Sequence, residues 1–290
     1  VEQNQDDWYR ATCLAVREVL GKTRVAPENI GGIGLSGTSH VPSMLDGQFK
    51  PVRPGILWND IRSEAQVRRL EEEAGDLIVA RTGNSVNCTW SLAQLAWTRE
   101  HEPEAFGRTR HVLFSKDYLA YRLTGELAAD HSSAVSSLLV DADSLDWNRD
   151  LLDLAELSSD MVPPIHPSTA VIGGLTPAAA SDLGLPSRVP VVIGMLDSAA
   201  ELVGVGATEP SIAVIRLGTA GGVMTLTDGP KWRRGCMLYP HPVRPYWYYQ
   251  AGTNAATISL QWVMSLLGMT LDGGYSELDS MVAQVPPAAA

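Results

Sequence analysis

Residues 190–197 read Pro-Val-Val-Ile-Gly-Met-Leu-Asp, and Ser-Ala-Ala-Glu-Leu-Val-Gly-Val follows directly through residue 205. An uncharged run with Val, Val and Ile in succession makes a strand whose two faces are both covered. Asp197 ends it, and the small residues after it form a helix that Glu209-Pro210 breaks. A buried strand that passes straight into a helix is the building unit of an α/β domain. Ligands of such domains collect at the carboxyl ends of their strands, where Asp197 stands. Two readings of Asp197 stay open at this point. It caps the helix, or it is a carboxylate facing a cleft, where it can take the proton of an attacking hydroxyl.

Upstream, Ile30–Leu35 is a second strand-like run that leads into Ser36-Gly37-Thr38-Ser39-His40. Gly32, Gly34 and Gly37 form a formal G-x-G-x-x-G. A dinucleotide fingerprint must open a helix, and here the glycines lie within the strand with Pro42 close behind. The order Ser36…His40 also fails as a hydrolase elbow, because Gly37 is misplaced for G-x-S-x-G. What remains is a loop, Thr38-Ser39-His40, at a strand end. Met44-Leu45 before Asp46-Gly47 predicts a hairpin. Leu57-Trp58-Asn59-Asp60 with Arg62 precedes a charged helix over 62–74. That sequence suits a helix cap, and it suits a sugar wall equally: an indole covers C–H faces while amide and carboxylate bond hydroxyls. At the start, residues 1–20 form an amphipathic helix with Trp8, Cys13, Val16 and Leu20 near one face.

Downstream, a domain boundary is expected near residue 207, giving units 1–207 and 208–290. Ile212–Leu217 and Val223–Thr227 flank Gly218-Thr219-Ala220-Gly221-Gly222 as a hairpin with a glycine-rich turn. Exposed N–H groups and the Thr219 hydroxyl can hold phosphate oxygens, although glycines in a turn need no ligand to explain them. Tyr246–Gln250 is one more strand, and Ala255–Leu267 an amphipathic helix with Trp262.

Composition narrows the classes. The 290 residues are 45% hydrophobic and 19% charged, with a net charge of -11, which argues against a nucleic-acid surface. No run approaches the roughly 20 apolar residues of a membrane span. The three cysteines are far apart, with neither metal spacing nor a disulfide framework, so a reducing cytoplasm is the expectation. Both ends read as cut from something longer. A helix opens the chain with no strand before it, and Pro286-Pro287-Ala-Ala-Ala closes nothing.

Taken in order, several segments resemble the FGGY carbohydrate kinases, and among them the xylulokinases. They are Gly32–Gly37 with His40; Arg53-Pro54 through Leu57-Trp58-Asn59-Asp60 and Arg62; Trp97 through Glu100-His101-Glu102-Pro103-Glu104; Lys116-Asp117-Tyr118-Leu119 through Gly125-Glu126; the strand ending in Asp197; and Leu217-Gly218-Thr219. The likeness covers nearly the whole chain. It implies an α/β protein of the two-lobed ribonuclease-H/actin-like fold, with a nearly complete N-terminal sugar-binding lobe and the start of a C-terminal ATP-binding lobe. It implies phosphorylation of a sugar hydroxyl by ATP with Mg²⁺, a ketopentose such as D-xylulose being the favoured acceptor. It assigns Asp197 as the catalytic base. Ser39, His40, Trp58, Asn59, Asp60 and Ser198 then contact the sugar, and Gly218 and Thr219 contact phosphate, with no protein metal ligand assigned. The partners implied are small molecules, sugar and ATP, with neither nucleic acid nor membrane; a homodimer is left open.

Departures from the family pattern bear on the acceptor. Gln94 stands where Lys is usual, Ser39-His40 where xylulokinases carry Met-His, and Ser198 where they often carry Asn. The family's Asp-x-Gly-Thr phosphate loop and its glycine-rich adenine region do not occur within these residues. Two alternatives therefore stand beside the ketopentose kinase. One is a kinase of another polyol, sugar or sugar acid, and the other is a non-catalytic actin-like sugar-binding protein.

Overall fold

A computed structural model describes residues 1–38, 40–253 and 255–286. Ser39 and the end of the tail, 287–290, lie outside the described residues.

The strand Pro190–Leu196 forms as its sequence requires and is the middle of a three-stranded sheet. Ile33–Gly37 runs parallel to it on one side, and Val171–Gly174 antiparallel on the other. Parallel pairing brings like ends together, and Gly37 lies opposite Leu196. The register slips between Gly34 and Ser36, opposite Gly194. Gly194 has φ +70°, and a Cβ there would lie 1.7 Å from the Leu35 carbonyl oxygen, so only glycine lets the backbones come this close.

Helices cover this sheet. Gln5–Thr23 packs through Tyr9, Cys13, Val16 and Leu20 onto a core with Leu35, Leu123, Leu183, Val191 and Ile193. Cys13, Val16 and Leu20 of the predicted stripe lie on this face with Tyr9 as its deepest member, while Trp8 packs on a separate cluster with Leu45, Leu113 and Tyr118, and Glu2–Gln3 is a short strand ahead of the helix. The charged helix spans Glu64–Thr82, starting two residues later and ending eight residues later than expected. Asp46-Gly47 does turn the chain. Pro42–Leu45, however, pairs mainly with His111–Phe114, and Leu45 reaches only an isolated bridge to Pro51.

The second sheet is antiparallel, in the order Ala213–Leu217, Gly221–Thr227, Trp247–Thr253 and Met237–Pro240. One face carries Met224, Leu226, Tyr239 and Tyr248, the other carries Leu238 and Trp247, and all six share one apolar cluster with Ile78, Trp90, Leu139 and Leu196. A buried amide reinforces the junction. Asn84 donates to the Leu238 carbonyl at 2.9 Å and accepts the Leu238 N–H at 2.8 Å, imitating a strand partner. The helix Thr257–Leu266 follows, mostly exposed. Among the described residues no helix is long and apolar enough to cross a membrane.

Candidate active site

The paired ends of Ile33–Gly37 and Pro190–Leu196 open into a cleft of about 280 Å³. Thr38, His40, Trp58, Thr89, Asp197 and Ser198 line it together with Arg216, Ala220, Gly221, Gly222, Tyr239 and Gln250 from the second sheet and its turn.

Asp197 is the first residue of the helix Asp197–Gly204, and Leu196 before it contributes no side-chain cap. Among the described residues, the hydrogen bond to the Asp197 carboxylate comes from the adjacent Ser198 N–H, at 2.8 Å. A capping aspartate reaches the N–H groups two or three residues on. Asp197 does not, and its half-buried carboxylate lines the cleft.

A short helix that the sequence did not announce holds both sides of this floor. Asp130 caps His131–Val135 by accepting from the Ser132 and Ser133 N–H groups. Its Oδ2 also accepts the Ser132 hydroxyl at 2.6 Å, and Ser132 Oγ accepts the Leu196 N–H at 3.0 Å. The peptide before Asp197 is thereby fixed. At the other end of the helix, Ser136 presents its carbonyl to His40 Nδ1 at 2.8 Å. Lys116 supplies the counter-charge beneath. Its Nζ lies 2.8 Å from Asp117 and 3.1 Å from Asp130, and donates to the Ile193 carbonyl at 3.1 Å. Burial alone would lower the Lys116 pKa, but the charges of Asp117 and then Asp130 overcome it and raise it. Asp117, itself fully buried, is pushed up to about 6 by desolvation. Burial also opposes ionisation of Asp130, yet the Lys116 charge and the serine hydrogen bonds hold its pKa below the ordinary value.

His40 takes a left-handed backbone, φ 61°, and is buried. A carbonyl only accepts, so Nδ1 carries the proton toward Ser136 and Nε2 accepts the Tyr239 hydroxyl at 2.7 Å. Burial drops the ring's pKa to about 4, so the ring is neutral near pH 7. Both ring nitrogens are thus engaged by the protein itself. Ser198 Oγ is 2.8 Å from the Tyr248 hydroxyl, a second bond between the floor and the antiparallel sheet.

The other sequence-derived candidates divide. Trp58 lines the cleft, 37% exposed. Asn59 is exposed and does not line it. Asp60 is buried against Arg62, whose guanidinium lies 2.8 Å from Oδ2 and holds the carboxyl well below the usual range. Neither residue is the cap of the following helix, a position taken by Ser63. Gly218 and Thr219 form the expected turn, with the Gly218 carbonyl accepting from Thr257 Oγ1 at 2.8 Å and Thr219 exposed. Ala220 at the end of the turn and Gly221 and Gly222, the first residues of the strand after it, line the cleft.

Arg216, Tyr239 and Gln250 were missed by sequence reasoning. Arg216 had a signal, as the one charge in an otherwise apolar strand. Tyr239 had none, because it meets His40 across 199 positions of chain. Among the described residues no group of three or more His, Cys, Asp or Glu gathers to hold a metal ion.

The chain is 32% identical to the xylulose kinase of Escherichia coli K12 over 271 residues, covering 93% of this chain and 55% of that protein. It is 26% identical to the gluconokinase of Bacillus subtilis over 265 residues, covering 90% of this chain and 51% of that protein. The crystal structure of xylulose kinase from Rhodospirillum rubrum superposes with a TM-score of 0.91 at 29% identity, over 99% of this chain and 59% of that one. The chain therefore spans about half the length of the curated relatives it matches. Residues 1–204 match the FGGY family of carbohydrate kinases, N-terminal domain, and the chain belongs to that family.

Proposed function

We propose that this chain carries the acceptor site of a kinase that moves the γ-phosphoryl group of ATP to a sugar hydroxyl. D-xylulose is the favoured acceptor and xylulose 5-phosphate the product. One observation carries the reading: a half-buried carboxylate, Asp197, lines one cleft with an exposed indole, Trp58, and the glycine-rich segment Ala220–Gly222.

The chemistry follows from that arrangement. A sugar hydroxyl is a poor nucleophile until its proton has an acceptor. Asp197 takes that proton as the oxygen bonds to the γ-phosphorus, and the bond to the β-phosphate bridging oxygen breaks to release ADP. Trp58 covers a C–H face of the acceptor. Ser198 and the loop through Ser39 and His40 orient hydroxyls, a ligand reaching His40 by sharing or displacing the Tyr239 hydroxyl. Asn59 and Asp60 stand next to Trp58 in the chain but do not line the cleft, and neither is assigned a contact with the acceptor. Gly218 and Thr219 set the turn that presents backbone N–H groups to phosphate. Mg²⁺ would shield the phosphate charge, and no step is assigned to a metal ligand of this chain. We take residues 1–207 as the sugar lobe and 208–290 as the start of the nucleotide lobe, working in the cytoplasm.

A second acceptor class is favoured by a specific observation. The gluconokinase of Bacillus subtilis aligns over 90% of this chain, and Arg216 puts a cation into the cleft. A sugar acid is therefore the runner-up. Assaying the full-length protein for sugar-dependent ADP release against ketopentoses, polyols and aldonic acids tests both. D-xylulose should give the highest kcat/KM. No ADP release with any of these acceptors would remove the kinase reading and leave the non-catalytic alternative.

A further inference from the structure

The cleft has one feature that a neutral sugar does not explain. Among its lining residues Arg216 is the one fixed cation, since the buried His40 ring is neutral. The Asp197 carboxylate lines the same cleft.

Arg216 is the fourth residue of Ala213–Leu217, and across the ladder it faces Gly222. No side chain stands at that partner position to cover it. Its guanidinium is 44% exposed and lies 3.4 Å from Glu201, itself 38% exposed. Glu201 is on the helix Asp197–Gly204, one turn after the proposed base. An ion pair this open is screened by water and contributes little. Glu201 approaches the guanidinium with Oε1 at 3.4 Å, whereas a ligand phosphate or carboxylate free to turn in the cleft can present two oxygens to its fork. The plain alternative is a surface ion pair that happens to border the cleft.

We propose that Arg216 is the oxyanion-binding residue of this cleft, held by Glu201 until a ligand oxyanion replaces it. The proposal rests on the kinase reading and deepens it. The shared chemistry is a planar or tetrahedral oxyanion, and it has two sources: the phosphoryl group in transfer, or the carboxylate of a sugar acid. No covalent step is added, because the arginine contributes charge and geometry only.

The test uses the full-length protein and its Arg216→Gln and Arg216→Lys variants. Calorimetry measures binding of tripolyphosphate, D-gluconate and D-xylulose, and turnover is followed with D-xylulose. If the phosphoryl group is the source, Arg216→Gln loses about 10²-fold in kcat and binds tripolyphosphate at least about tenfold more weakly. D-xylulose affinity stays within about threefold of wild type, and Arg216→Lys recovers part of the loss. If the sugar carboxylate is the source, gluconate affinity falls at least about tenfold instead and tripolyphosphate affinity stays within about threefold of wild type. The proposal is overturned if Arg216→Gln keeps both anion affinities and kcat within about threefold of wild type. It is equally overturned if the wild type binds neither anion. A wild type that turns over no sugar would sink the kinase reading alone, because a tripolyphosphate affinity lost in Arg216→Gln would still assign the oxyanion to this residue.

Discussion

The imidazole Nε2 of His40 accepts the hydroxyl of Tyr239 at 2.7 Å, joining the loop after Ile33–Gly37 to the strand Met237–Pro240. Both residues are buried, with Trp90 packed edge-on against the imidazole at 4.6 Å. Tyr239→Phe removes the donor and leaves a buried acceptor unpaired, which typically costs about 1–3 kcal/mol. Urea unfolding of wild type and variant measures the difference. A loss under about 0.5 kcal/mol would mean that the bond adds nothing to the junction.

The same ring gives a pH prediction. Burial moves the His40 pKa from 6.5 to about 4. Between those values the unfolded chain binds a proton that the folded chain refuses, so His40 makes the fold less stable as pH falls through that window. Asp117 has the opposite sign. Raised from 3.8 to about 6, it binds a proton in the folded state first and offsets part of the effect on acidification. Resolved NMR titration of the histidines separates the two. His40 should stay neutral until near pH 4, and a midpoint near 6.5 would contradict the buried, doubly bonded ring.

Lys116 faces Asp117 and Asp130 with its side chain 1% exposed and theirs at 0%. Lys116→Met deletes the ammonium and strands two carboxylates in the interior. Removing one partner of a buried ion pair usually costs about 3–5 kcal/mol. The variant should show that loss by denaturant titration and should recover stability at acid pH, as the carboxylates protonate. Wild-type stability at neutral pH would show that the cluster is not a support for the Asp197 strand.

These elements were unequally legible in the sequence. Pro190–Leu196 announced itself because a parallel strand covered on both faces must be apolar throughout. The hairpin around Gly218–Gly222 was legible from its turn glycines. His131–Val135 was not, since five residues with two serines have little helical periodicity, and its cap, Asp130, is recognised only once Lys116 folds beneath it. At the site, strand ends pointed to Asp197 and to the Thr38–His40 loop, and Trp58 joined them. Asn59 and Asp60 came in as neighbours of Trp58, but one backbone step turns a side chain elsewhere: Asn59 goes to solvent and Asp60 to Arg62. Tyr239, Tyr248 and Gln250 depend on how the second sheet docks, which no local pattern encodes.

The account depends most on Asp197 being a proton acceptor rather than a structural carboxylate. Asp197→Asn preserves shape and can still accept the Ser198 N–H through its amide oxygen, but it cannot take a proton. In the full-length protein the measurement is kcat with D-xylulose, alongside sugar affinity and unfolding midpoint. The account predicts an unfolding midpoint and affinity close to wild type with kcat reduced by about 10²–10⁴. A variant that is equally stable, binds sugar and turns over at a near-normal rate would contradict it.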